Sequence, residues 1–244
     1  MKMPRAVAFV IFHLLGRVQA FAAMMANRSR AVPRDYRAYD VSKLLRAHRL
    51  AQRIKDGEEV LDVGCGNGGL LRDLGLFRVF KRRVGIDIHR PQPPEPAIEM
   101  SAYDGETLPF ADGSFDSVVF AYFLHYLARE HAVRLLSEGR RVARKNVFVL
   151  DDSQPAWTFW YRVRNHLERL RSDILYRALN RDRYRSSGNE GMYLTYSEWV
   201  ELLQTVPGVI AVEVEPLDRI SGLIHHTLIH ARLEDGSPGV TKAR

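Results

Sequence analysis

The sequence predicts an α/β fold built on a doubly wound, mostly parallel sheet. Short apolar segments typical of buried strands alternate along the chain with segments whose apolar residues repeat at helical spacing. This alternation is typical of parallel sheets with helices on both faces. A glycine-rich turn at residues 64–69 follows the first apolar segment directly. Because such a turn lets the backbone approach a ligand closely, it predicts a binding site at the end of that strand.

Seven apolar segments are predicted to be strands, and helices are predicted between several of them. The strands are expected at about 59–63, 83–87, 97–100, 115–121, 145–150, 209–215 and 225–233. The helices are expected at about 41–55, 68–76, 129–143 and 197–205, with Ser197 as the N-cap of the last one. Four prolines between residues 91 and 96 exclude an ordinary helix after the second strand, so an extended connection is expected there.

Positive charge is concentrated outside the predicted strands. The chain has 244 residues and a net charge of +7, and residues 1–55 alone carry 12 basic and 2 acidic side chains. Residues 155–190 carry 8 basic and 4 acidic side chains together with six aromatic ones. Such an excess indicates either an anionic partner (a membrane surface, a phosphorylated substrate or RNA) or helices with solvated basic faces. On the 41–55 helix, the basic residues are expected mostly on the outer face: Lys43, Arg46, Arg49 and Arg53.

Residues 1–26 have two open interpretations. An apolar run of 11 residues at 6–16 follows two basic residues and precedes Val18-Gln19-Ala20, which is the outline of a signal peptide. The run is shorter than the roughly 20 apolar residues that a membrane-spanning helix needs. We favour an amphipathic helix that packs on the domain or lies at a membrane surface, with the signal peptide as the alternative.

Cysteine and histidine usage predicts neither an internal disulfide nor a metal site. Cys65 is the single cysteine, and it reads as a small apolar residue of the glycine turn. His225, His226 and His230 lie on a predicted strand, but no acid or cysteine joins them at the spacing of metal ligands.

Asp62 is the residue of the first strand that points most directly to chemistry. It lies two residues before the first glycine of the turn, inside an otherwise apolar strand. A carboxylate in such a position costs stability unless something pairs with it, and a cationic group of a ligand would do so. The sequence therefore predicts a cationic ligand at this turn.

Three motifs in order resemble those of the class I S-adenosylmethionine-dependent methyltransferases, of the methyltransferase type 11 kind. Residues 60–68 read VLDVGCGNG, residues 84–88 read VGIDI, and residues 104–110 read DGETLPF, followed by FDSVVF at 115–120. The first motif carries the buried acid and the glycines. The second ends a strand in an acid, and the third resembles the segment that precedes the fourth strand of that family.

The resemblance implies a Rossmann-like methyltransferase fold with a seven-stranded sheet that closes with an antiparallel pair. It divides the chain into a helical N-terminal extension at 1–55, a methyltransferase domain at 56–235 and a loose tail at 236–244. A helical insertion after the fifth strand, at about 155–190, is expected to form a lid over the substrate.

The resemblance also assigns roles to individual residues. The aminoacyl end of S-adenosylmethionine is expected at the first motif, the ribose hydroxyls at Asp87, the adenine ring against Ile88, and the adenine amino group at Asp104 and Gly105. The residues of the first motif implied in binding are Asp62, Gly64, Cys65 and Gly66. His125, just after the fourth strand, is the candidate general base, with a purely structural role as its alternative.

Two rival functions and one class of acceptor follow from the same residues. Gly64, Gly66 and Gly69 also fit the dinucleotide fingerprint G-x-G-x-x-G, so an NAD-dependent oxidoreductase is one rival, although Asp62 would repel a pyrophosphate. A non-catalytic cofactor-binding scaffold is the other.

The aromatic lid and the apolar N-terminal run favour a small hydrophobic or amphipathic, lipid-like acceptor. We expect a cytoplasmic enzyme, with peripheral contact at the inner face of a membrane, and the absence of an RNA-binding module disfavours nucleic acid.

Overall fold

The computed structural model describes residues 38–89, 92–153, 194–217 and 226–234, with the side chains of 38–42 left out. The expected N-terminal run at 1–26, the lid at 155–190 and the tail at 236–244 therefore lie outside the described residues. The division of the chain into these parts stays a prediction.

Within the described ranges the elements follow the predicted order. The strands are β1 (Glu59–Val63), β2 (Arg82–Asp87), β3 (Ile98–Ala102), β4 (Phe115–Ala121), β5 (Ala143–Asp152), β6 (Val209–Pro216) and β7 (His226–Leu233). The α-helices are α1 (Ala38–Ala51), α2 (Gly69–Leu74), α3 (Arg129–Val142) and α4 (Tyr196–Gln204), and one turn of 3-10 helix covers Leu124–Tyr126.

The sheet has seven strands in the order β3-β2-β1-β4-β5-β7-β6. The first five strands are parallel, and β7 runs antiparallel to both β5 and β6. This confirms the predicted α/β sheet with its closing antiparallel pair. Because the strand order reverses between β1 and β4, a crevice opens at the carboxyl ends of these two strands, where open α/β sheets bind ligands.

Two apolar clusters cover the two faces of the sheet. Along β4, Val118 and Phe120 belong to one cluster and Val119 belongs to the other, as expected for side chains that alternate across a strand. Helices α3 and α4 contribute to the first cluster, and α1 and α2 contribute to the second. Asp62 has the same parity in β1 as Val60, which lies in the second cluster, so its side chain faces the layer of α1 and α2.

Most predicted boundaries shift by one or more residues, and the fifth strand extends from the expected 145–150 to Ala143–Asp152. The first helix spans Ala38–Ala51 instead of 41–55, and the third strand is Ile98–Ala102 instead of 97–100. Ser197 is not the N-cap of the last helix. Thr195 is, because its side chain accepts from the Glu198 backbone N–H while the Glu198 carboxylate accepts from the Thr195 N–H at 2.7 Å. No helix within the described ranges combines the length and the apolar character needed to span a membrane.

Candidate functional site

A cavity of about 250 Å³ lies at the carboxyl ends of β1, β4 and β5. We call it the strand-end cavity. Its floor is the end of β1 with the glycine turn, and its sides are formed by α1, α2 and the residues that follow β4. Of the residues implied in cofactor binding, it is lined by Asp62, Gly64 and Cys65.

Three residues of the glycine turn have positive φ angles: Gly64, Gly66 and Gly68. Gly64 has a φ of 71° and Gly66 a φ of 54°, which side chains rarely adopt. A Cβ at Gly64 would lie 2.7 Å from the ring of Phe123, so this position accepts only glycine. A Cβ at Gly66 would meet nothing within 4 Å, so the backbone there borders open space that a ligand can occupy.

Asp62 carries an unsatisfied buried oxygen. Its side chain is 1% exposed, and its Oδ1 has no hydrogen-bond partner among the described residues. Burial raises the pKa of Asp62 to about 8, and the negative charge of Asp87 adds to the shift. A cationic group placed here would supply the missing partner and restore the ionised form.

Asp87 joins the end of β2 to the glycine turn. Its Oδ2 accepts a hydrogen bond of 2.9 Å from the Gly66 N–H, and its Oδ1 accepts one of 3.0 Å from the His89 N–H. Each carboxylate oxygen has a second lone pair, so Asp87 retains acceptor capacity for hydroxyl groups. The structure therefore brings Asp87 next to the turn, as the resemblance implies.

The segment after β3 places Gly105, which follows Asp104 in the chain, close to Ile88. Asp104 Oδ1 accepts from the backbone N–H groups of Thr107 (2.9 Å) and Glu106 (2.8 Å), and these bonds lower the pKa of Asp104. Gly105 has a φ of 86°, and a Cβ there would lie 3.0 Å from Cγ2 of Ile88. Ile88 itself is 59% exposed, which leaves an apolar surface beside Gly105 for a flat ring.

His125 lies on the 3-10 turn after β4 and is buried. Its Nδ1 is 2.5 Å from Oδ1 of Asp151, a buried carboxylate near the end of β5. The same Oδ1 also accepts from the Asp152 N–H at 2.8 Å. Sequence reasoning selected His125 and missed Asp151, although the pattern of an acid that ends an apolar strand was present at residues 145–151 as it is at Asp62 and Asp87.

Tyr122 is the one described residue other than glycine with a positive φ, at 59°. It follows β4 directly and lines the strand-end cavity. The guanidinium carbon of Arg46 lies 4.8 Å from the centre of its ring. Strained positions of this kind cluster at functional sites.

Lys43 and Arg46 lie off the buried stripe of α1, as expected, with Lys43 exposed and Arg46 half-buried. Both side chains line the strand-end cavity. Helical spacing places residues 43 and 46 on one face, but the pattern alone does not say which neighbour that face meets. The buried stripe of α1 rests on α2 and the sheet, and the crevice opens directly beside it.

Cys65 and His230 pack among core residues, and His225 lies outside the described residues. The Cys65 Sγ lies 2.7 Å from where a Cβ of Gly85 would be, and burial raises the pKa of its thiol. His230 Nε2 donates a 2.8 Å hydrogen bond to Asn146 Oδ1, and its ring stacks on Phe148. In the described part of the chain, no three histidine, cysteine or acidic side chains converge to hold a metal ion.

Residues 61–150 match the family profile described as "Methyltransferase domain". Phthiotriol/phenolphthiotriol dimycocerosates methyltransferase 1 of Mycobacterium ulcerans is 32% identical over 42% of this chain and 40% of its own length. Demethylmenaquinone methyltransferase of Beutenbergia cavernae is 33% identical over 42% of this chain and 44% of its own length. The alignments thus span less than half of either curated relative.

A SAM-dependent methyltransferase from Methanosarcina mazei superposes with a TM-score of 0.53 at 21% identity, over 76% of this chain and 98% of that one. The sheet order and the strand-end crevice define a Rossmann-like domain of the methyltransferase type. The profile match runs from β1 into β5, so this part of the chain is similar to the methyltransferase domains of S-adenosylmethionine-dependent enzymes.

Asp62 gives the site a measurable pH signature. Its pKa is near 4 in the unfolded chain and about 8 in the folded one, so the folded state binds the extra proton between these values. The free energy of unfolding contributed by Asp62 therefore falls as pH rises from about 4 to about 8. We expect Asp62→Asn to be more stable than the unsubstituted protein by about 1–3 kcal/mol at about pH 8, with little difference at about pH 4. Urea unfolding without ligand measures this.

Asp116→Asn is the matched control, because its expected change in stability at about pH 8 has the opposite sign. Burial raises the pKa of Asp116, but hydrogen bonds from Arg144, the Glu59 N–H and Lys145 outweigh it and lower that pKa to about 2. Its stabilising contribution is present above about pH 4 and is lost as pH falls towards 2, so this variant is expected to be less stable than the unsubstituted protein at about pH 8. An Asp62→Asn protein that is destabilised equally at both pH values would contradict the analysis.

Proposed function

We propose that this protein transfers a methyl group from S-adenosylmethionine to a small hydrophobic or amphipathic acceptor. The observation that carries the proposal is the buried carboxylate of Asp62, which lies at the strand-end cavity with one oxygen lacking a partner among the described residues. A buried anion of this kind fits a ligand with an ammonium group. S-adenosylmethionine carries an ammonium and a sulfonium.

The residues around Asp62 fit the rest of that cofactor. Gly66 leaves open space along the glycine turn, and Asp87 has acceptor capacity for the ribose hydroxyls. Asp104 and the Gly105 backbone lie beside the exposed face of Ile88, which suits an adenine ring with its amino group. When bound, the cofactor supplies an electrophilic methyl group. The chain would hold that group at the strand ends and exclude water from it.

His125 is proposed as the general base, with Asp151 as the residue that positions it. Because Asp151 Oδ1 accepts from Nδ1, the proton of a neutral imidazole is held on Nδ1, and Nε2 keeps its lone pair. A base in this state can take the proton of a hydroxyl or amine acceptor. The arrangement is the base-and-carboxylate half of a catalytic triad.

The proposed class of acceptor is supported by the apolar residues of the cavity wall and by the names of the curated relatives. Leu70, Ala121 and Leu150 give the strand-end cavity an apolar side. The two curated relatives are named for phthiotriol-type dimycocerosates and for demethylmenaquinone. Both names fit an apolar acceptor, and a cytoplasmic enzyme in peripheral contact with a membrane would reach such a molecule.

The NAD-dependent alternative is disfavoured by the same carboxylate. A pyrophosphate would meet the charge of Asp62 once that residue ionises, whereas an aminoacyl group would neutralise it. Titration of the purified protein with S-adenosylhomocysteine and with NAD separates the two functions. Binding of NAD without binding of S-adenosylhomocysteine would reverse the proposal.

Ile88 offers a direct test of the cofactor position. If the adenine ring lies on Ile88, then Ile88→Ser removes apolar area worth about 1 kcal/mol and weakens S-adenosylhomocysteine about 5-fold. Ile210 is the matched control, because it is 62% exposed on β6 against 59% for Ile88. Isothermal titration calorimetry should show a loss of affinity for Ile88→Ser and none for Ile210→Ser. Equal affinities for both variants would place the ring elsewhere.

The catalytic role of His125 and the positioning role of Asp151 are tested with the natural acceptor. Incubation of labelled S-adenosylmethionine with fractionated cell extract would identify that acceptor. His125→Ala is expected to lower kcat by about 10²–10⁴-fold while the affinity for S-adenosylhomocysteine stays unchanged. Asp151→Asn should also lower kcat, and the ¹⁵N spectrum of His125 should change from protonated Nδ1 to a mixture of tautomers. Asp152→Asn, one residue along β5, serves as control. An unchanged kcat in His125→Ala would show that His125 is not the general base. If the unsubstituted protein transfers no methyl group to any acceptor, the alternative of a non-catalytic scaffold is favoured.

A further inference from the structure

The turn on the adenine side of the site lies at the edge of the sheet. Asp104 and Gly105 follow β3, which is the edge strand of the described sheet, so the sheet flanks them on one side only. Helix α3 contacts this turn through His131. We propose that His131 is a positioning residue for the cofactor, because it fixes the Gly105 backbone beside the adenine ring. This inference rests on the proposed function and adds one residue to its binding site.

His131 reaches the turn through one hydrogen bond. Its Nε2 lies 2.8 Å from the carbonyl oxygen of Gly105, and because a carbonyl oxygen only accepts, the imidazole donates. The side chain of His131 is 25% exposed, and the carboxylate of Glu106 lies 3.6 Å from the same nitrogen. The bond therefore joins the first turn of α3 to the backbone of the binding segment.

Gly105 needs a restraint of this kind. Its φ is 86°, and glycine adopts a wider range of conformations than any other residue, so the peptide that follows it can rotate unless something holds it. Cγ2 of Ile88 lies 3.0 Å from where a Cβ of Gly105 would be, but such a contact does not fix the direction of the carbonyl. The hydrogen bond from His131 does, and it holds the turn ready for the ligand.

The other hydrogen bonds of the turn restrain different parts of it. Asp104 Oδ1 accepts from two N–H groups of the same turn, so these bonds do not attach the turn to its surroundings. Glu138 accepts from the Leu108 N–H and Arg141 donates to the Leu108 carbonyl, both at 3.0 Å, three residues beyond Gly105. In the described part of the chain, the imidazole of α3 is thus the contact that holds the backbone at the adenine end.

Helix α3 is a rigid support for this bond. Ala132, Leu135 and Leu136 are each at most 1% exposed and belong to the first apolar cluster. Ala132 follows His131 directly, so close packing of the core fixes the backbone from which the imidazole extends. The position of Gly105 relative to the sheet is therefore set through α3.

The test separates the adenine end of the ligand from the rest. S-ribosylhomocysteine keeps the ribose and the homocysteine of S-adenosylhomocysteine and carries a hydroxyl in place of adenine. By calorimetry, His131→Leu should weaken S-adenosylhomocysteine about 5-fold, through the loss of one hydrogen bond, and should leave S-ribosylhomocysteine unchanged within about 2-fold. Adenosine keeps the base and lacks the homocysteine, so its affinity should fall by the same factor as that of S-adenosylhomocysteine.

Two further variants serve as controls. His131→Gln retains a side-chain N–H donor and should keep the affinity for S-adenosylhomocysteine. Arg134→Leu, one turn along α3, removes an exposed cation that lies 3.4 Å from the carboxylate of Glu106, and it should leave all three affinities unchanged. Urea unfolding shows whether each variant is folded under the conditions of the titration.

Three results would overturn the inference and leave the proposed function intact. They are an unchanged S-adenosylhomocysteine affinity in His131→Leu, an equal loss for S-ribosylhomocysteine, which would show that the bond only supports the fold, and a loss in His131→Gln as large as in His131→Leu. If S-ribosylhomocysteine binds too weakly to titrate, adenosine decides, because a loss that differs from that of S-adenosylhomocysteine also overturns the inference. Failure of the unsubstituted protein to bind S-adenosylhomocysteine would contradict the proposed function itself.

Discussion

A buried carboxylate, one oxygen of which has no partner among the described residues, is the constraint on which the rest of the site depends. Asp62 lies in the middle of the sheet, next to Gly85 of β2 and Val119 of β4, and its side chain is 1% exposed. Ionisation there is costly, which is why its pKa rises to about 8. An apolar residue would be expected to stabilise β1 better, which supports the proposal that this acid is kept for a ligand.

The topology brings acidic and histidine side chains from distant parts of the chain to one edge of the sheet. Asp62, Asp87 and Asp151 lie at or near the ends of three parallel strands, and His125 follows a fourth. Parallel strands all deliver their carboxyl ends to the same edge, so a donor site and a base can meet there without any long loop. The glycine turn then gives a ligand access to Asp62.

The strands and turns could be predicted from the sequence, whereas contacts between residues that are distant in the chain could not. Asp62, the glycines and all seven strands were readable, because apolar runs and turns are encoded by adjacent residues. The contact of His125 with Asp151 joins residues 26 apart, and no periodicity reports it. That Lys43 and Arg46 border the crevice depends on where α1 meets it. Thr195 and Ser197 are both residue types that cap helices, and the capping box with Glu198 decides in favour of Thr195.

Proton release on ligand binding tests the role of Asp62 most directly. At about pH 7 its carboxyl is mainly protonated in the empty protein, and an arriving ammonium should ionise it. Calorimetric titration with S-adenosylhomocysteine in buffers of different ionisation enthalpy should give a release of about one proton per bound ligand, and almost none for Asp62→Asn. Tight binding to the unsubstituted protein with no proton released would show that Asp62 does not receive the ammonium.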